Sequence, residues 1–141
     1  MQRCSSMLAA CLSLLLVSYG CKDKLPQLSW GEGGGFTGAQ HGYTAYANGT
    51  VEEWSQWPGQ SRQSQKTWKL NSAQQQTLQT LYQQLQALPP YTNWANYTRF
   101  ITLYLQQDTL HWAWEPSDTQ ATARTLQNLY DSLNQSLQQQ P

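Results

Sequence analysis

All three cysteines of this 141-residue chain, Cys4, Cys11 and Cys21, fall within its first 21 residues. The remainder has no thiol for a disulfide, so about 120 residues must hold themselves together through one hydrophobic core. Their patterning predicts how. Leu28 and Trp30 form a short first strand, and Gly33, Gly34 and Gly35 let the backbone turn or bulge before Phe36. Ala39 to Ala47 reads as a Tyr-rich strand that reaches a two-residue Asn48-Gly49 turn and returns as Val51 to Trp57. Pro58 and Gly59 end that strand, and Lys66 to Leu70 forms a fourth around Trp68.

The second half alternates helix and hairpin. Ser72 with Gln75 reads as a capping box, and Leu78, Leu81, Tyr82, Leu85 and Leu88 fall on one helical face that stops before Pro89 and Pro90. Thr98 to Leu105 alternates as a strand, Gln107 and Asp108 turn it, and the return strand puts Leu110, Trp112 and Trp114 on one side, His111 and Ala113 on the other. Ser117 with Gln120 predicts a second capping box before a helix marked by Ala123, Leu126, Leu129, Tyr130, Leu133 and Leu137. The order ββββ-α-ββ-α implies an α+β domain, an antiparallel sheet with two amphipathic helices packed on one face.

The leader sets the address. Met1 to Gly20 carries Arg3 as its only charge, and its apolar run Met7 to Val17 is too short for a hydrocarbon core of about 30 Å. It resembles a bacterial type II signal peptide, although Ser18 stands where such leaders usually carry leucine. In that reading residues 1–20 are removed, Cys21 is acylated, residues 21–27 form a tether reaching roughly 20 Å at most, and 28–141 is the domain. The alternative, an ordinary exported-protein cysteine, leaves a lone thiol in an oxidising compartment. At about 0.8 kcal/mol per buried methylene, several acyl chains on Cys21 hold the protein in a membrane essentially permanently. The expected location is the cell envelope, at the outer membrane.

Charge and chemistry narrow the function classes. Eight Lys and Arg face eight Asp and Glu, and loss of Arg3 with the leader leaves a net charge of −1. That balance gives no electrostatic case for nucleic acid. The domain has two histidines, His41 and His111, on separate predicted hairpins, and no two-histidine helix motif for zinc. Glu52 and Glu53 are adjacent on a strand and point to opposite faces, so they cannot work as a carboxylate pair. The glycine cluster Gly31 to Gly38 lacks the Lys and Ser/Thr of a phosphate loop. No enzymatic activity, metal or cofactor is expected. Most of the seven tryptophans are expected to pack, whereas Trp57, beside Pro58, and Trp94, between Tyr91 and Tyr97, are candidates for an exposed binding surface.

Glu32 followed by Gly33, Gly34, Gly35, Phe36, Thr37 and Gly38, then a Tyr-rich strand, an Asn-Gly turn, a helix and a late hairpin with helix, resembles the emfourin-type inhibitors of thermolysin-like metallopeptidases. The resemblance covers most of Leu28 to Leu137, with Gly34 to Gly38 as its sharp motif; it carries over no inhibitory residue. The chain also resembles small lipoproteins of Bacteroidota, which imply no activity. Three readings stand: a lipid-anchored, non-enzymatic module that captures or inhibits a peptidase, one that binds glycan or other cell-envelope material, and a structural envelope lipoprotein.

Overall fold

The computed structural model describes residues 26–138. The leader, Cys21 and the last three residues lie outside them. The domain is α+β, with the order β1 (Pro26–Gly34), β2 (Ala39–Tyr46), β3 (Thr50–Gln56), β4 (Gln63–Lys69), α1 (Ser72–Gln86), β5 (Tyr91–Thr92), β6 (Tyr97–Tyr104), β7 (Thr109–Trp114) and α2 (Ala121–Gln138). The strands form one sheet in the order β4-β3-β2-β1-β6-β7-β5, antiparallel except where β5 runs parallel to β7.

Strand β1 is central. It pairs with β2 on one side and β6 on the other, and its register puts Leu28 opposite Ala45 and Leu103, and Trp30 opposite Tyr43 and Ile101. These residues share one sheet face with Val51, Trp112 and Trp114, and they join Leu78, Leu81 and Leu85 of α1 and Leu126, Leu129 and Leu133 of α2 in one buried cluster. Both helices therefore cover the same face, because a leucine stripe can be hidden only against another apolar surface. Three buried indoles also satisfy their N–H groups: Trp30 donates to Asn134 at 3.0 Å, Trp112 to the Pro89 carbonyl at 2.8 Å, and Trp114 to Gln127 at 3.1 Å. The buried Gln74 of α1 ties the helices together, its amide donating to the Ser136 carbonyl of α2 at 3.0 Å.

Several local expectations shift. β1 starts at Pro26 and runs to Gly34, much longer than a strand around Leu28 and Trp30, so the domain begins within what was expected to be tether. The turn after β2 has three residues, Ala47 to Gly49, with the Gly49 N–H donating to the Tyr46 carbonyl at 2.9 Å. The first capping box moves one residue back: Asn71 accepts the Gln74 N–H at 2.9 Å while the Gln74 side chain accepts the Asn71 N–H at 3.0 Å, since asparagine is a strong cap and Gln74 stands at the required offset. Before α2, Asp118 rather than Ser117 takes the Gln120 N–H, at 2.9 Å. The two-residue β5 has no counterpart in the expected order.

Candidate functional site

The glycine segment makes the turn between β1 and β2, and its neighbours fix it on both flanks. Gly34 has φ +106°, and a Cβ there would stand 2.2 Å from the Asn96 carbonyl oxygen. Gly38 has φ +64°, with the Pro58 ring 2.9 Å from its Cβ position. Both positions lie in backbone space that side chains disfavour, and both meet a neighbouring loop. The Gly35 N–H donates to the Asn96 carbonyl at 2.5 Å, which joins this turn to the segment before β6.

Phe36 projects from this turn, fully exposed. Trp57, 52% exposed, follows β3; Trp94, 68% exposed, and the less exposed Tyr97 flank the start of β6. These are the four exposed large hydrophobic side chains among the described residues. The register places Phe36, Trp57 and Tyr97 at one end of the sheet, where Gly34 pairs with Ala39 and Tyr97 and where β3 runs out at Gln56, opposite Gln40; the Trp94 ring instead lies against His111, which pairs with Thr102 away from that end. The chain enters β1 at the other end, where Pro26 pairs with Tyr46. The glycine segment and Trp57 thus gather at the end remote from the incoming chain, whereas the ring of the other candidate, Trp94, packs against His111. The exposure of Phe36 and the contribution of Tyr97 were not read from the sequence; a lone aromatic among glycines was the available signal for Phe36.

Glu32 anchors the base of this end. Its carboxylate accepts from Arg99 Nε at 2.9 Å and lies 3.4 Å from His41 Nε2, and Tyr97 hydrogen-bonds to it. Burial alone would raise the Glu32 carboxyl, but the hydrogen bonds from Arg99 and Tyr97 and the charges of Arg99 and His41 outweigh it and hold the group below its ordinary value. A depressed carboxyl contributes stability that is present above the unfolded-state value and is lost as pH falls through the folded value. The melting temperature of the wild type is therefore expected to fall more steeply than that of Glu32→Gln as pH drops below about 4.5; parallel curves in a thermal melt series would refute this.

A cleft of about 430 Å³ on the helix side is lined by Glu32, His41, Tyr43, Glu53, Lys66 and Tyr130, among others. No group of three or more His, Cys, Asp and Glu among the described residues could hold a metal ion. His111 Nδ1 is 2.8 Å from the Thr102 hydroxyl on the opposite sheet face, apart from His41. Glu52 hydrogen-bonds Tyr46 whereas Glu53 lines the cleft, so the two carboxylates face opposite sides. No protein-family model and no curated protein sequence matches the chain.

Proposed function

We propose that this chain is a non-enzymatic binding module, held at the bacterial outer membrane by acyl chains on Cys21, that captures a protein partner with its loop end in the manner of a peptidase inhibitor. The observation that carries the reading is the gathering of Phe36, Trp57 and Tyr97 at the end of the sheet remote from Pro26. Exposed aromatics on a projecting, internally braced turn suit a concave partner, because aromatic anchors dominate binding energy when they fill pockets. Bracing by Asn96 and Pro58 lowers the ordering cost of docking. A peptidase cleft is a concave surface of this kind, which agrees with the resemblance of the glycine segment to emfourin-type inhibitors.

The mature chain carrying Cys21→Ser, and hence free of lipid, is expected to slow a thermolysin-like peptidase at micromolar concentration. Phe36→Ala and Trp57→Ala should each weaken inhibition about tenfold or more, in line with loss of an interfacial hot spot, at unchanged melting temperature. Absence of inhibition across a panel of such peptidases would sink the inhibitor reading.

A further inference from the structure

The helices leave the second face of the sheet uncovered, and a row of aromatic rings crosses it. Trp54 and Phe100 have centroids 6.1 Å apart, Phe100 and His111 6.3 Å, and His111 and Trp94 5.8 Å, with successive planes tilted by only 26°, 23° and 22°. The first two rings lean onto a pair of glycines. Gly31 and Gly42 face each other across β1 and β2, and a Cβ on Gly31 would stand 2.9 Å from Phe100 Cζ, one on Gly42 2.9 Å from Trp54 Cζ2. Each of these two rings thus reaches over the neighbouring strand into the space a side chain would fill.

Arg62 closes one end of the row. Its guanidinium sits 3.8 Å from the Trp54 ring centroid and donates to the Thr44 hydroxyl at 3.3 Å, and Trp54 is only 1% exposed. The accessible surface is therefore Phe100 and His111, both half-buried, followed by the exposed Trp94. Burial lowers the His111 pKa, so its ring is largely neutral near pH 7. The strand register adds the half-buried Thr102 hydroxyl on one flank of the row and the amides of Gln40 and Gln56 on the other.

We infer that Phe100, His111 and Trp94 form a glycan platform for an extended, neutral, β-linked polysaccharide, separate from the protein-capturing loop end. Aromatic rings with a hydroxyl and amides beside them match the C–H faces and rim hydroxyls of pyranose rings. The nearly even spacing of about 6 Å between centroids is close to the advance per residue of an extended β-linked chain, so consecutive sugars can rest on consecutive rings. The even spacing suits an extended chain better than a bent α-linked one, and nothing in the three rings favours a charged one.

The test is isothermal titration of the lipid-free mature chain carrying Cys21→Ser with cellohexaose, with maltohexaose and soluble peptidoglycan fragments as comparisons. Saturable binding of cellohexaose is expected, weakened at least tenfold by Trp94→Ala and largely retained in Trp94→Phe. Phe36→Ala and Trp57→Ala should leave it unchanged, so the platform and the protein-capture reading fail separately. His111→Ala provides a second test if it folds; Trp94→Ala removes an exposed ring and does not depend on it. The proposal is overturned if cellohexaose does not bind, if maltohexaose or peptidoglycan fragments bind as well or better, or if Trp94→Ala binds normally. Sedimentation of the same protein as a dimer that Trp94→Ala dissolves would assign the face to a second copy and overturn it too.

Discussion

Gly34→Val is expected to lower the melting temperature by about 10 °C or more, corresponding to roughly 3 kcal/mol for a domain of this size. Two costs add at this position. A side chain at φ +106° is strained, which costs about 1–2 kcal/mol, and its Cβ would be driven into the Asn96 carbonyl, a backbone atom held by the Gly35 N–H, at a further cost of about 1–3 kcal/mol. Gly38→Val should lose less, since the obstacle there is the Pro58 ring, which can shift. Gly59 separates the two costs: it has φ +72° but no atom within 4 Å of its Cβ position, so Gly59→Ala should lose only about 1 kcal/mol. Unchanged thermal melts for Gly34→Val would remove the argument that the turn is braced.

Cys21→Ser is expected to move essentially all of the protein out of the detergent-extracted membrane fraction and to abolish incorporation of labelled palmitate. In the proposed anchoring each acyl chain contributes about 0.8 kcal/mol per buried methylene and more than one chain makes the hold permanent, so the substitution removes the hold that the proposal assigns to Cys21. No helix among the described residues is long and apolar enough to cross a bilayer in their place. Wild-type protein that takes up no palmitate would refute the lipoprotein reading outright.

The sequence was most legible where a side-chain period met a buried face. Alternation in β7 put Trp112 and Trp114 toward the helices and His111 and Ala113 on the other side, and the leucines of α1 and α2 announced which stripes would be hidden. Legibility failed where a local signal was overruled by a distant partner. Gly33 and Gly34 look like part of a turn with Gly35, yet β1 continues through them and the turn begins only at Gly35, and Gly31 leaves the space over which Phe100 lies. β5 was invisible because two residues carry no period. It is held from elsewhere, by the Asn93 N–H on the Ala113 carbonyl at 2.8 Å and by the Tyr91 hydroxyl on Asp118.

The candidate site shows the same division. Trp57 and Trp94 could be flagged from their settings beside Pro58 and between Tyr91 and Tyr97, because such positions rarely belong to a core. That Trp57 shares one end with Phe36 and Tyr97, while Trp94 packs on His111, depends on the strand order β3-β2-β1-β6-β7, a long-range property with no local signal. Trp54 illustrates the limit most plainly. Its aromatic strand setting marks it as buried, but not that it is buried on the face away from the helices, under Arg62.

The central position of β1 has a mechanical consequence. One end of this strand receives the chain from Cys21, and its other end leads directly into the turn that carries Phe36. With Cys21 as the proposed anchor, tension applied at that turn would run along the axis of β1, perpendicular to the hydrogen bonds of an antiparallel ladder. Both ladders, to β2 and to β6, would then be loaded in shear together rather than peeled open one rung at a time. A domain anchored and docked as proposed would hold its partner against flow or diffusion while the force bypasses its helices.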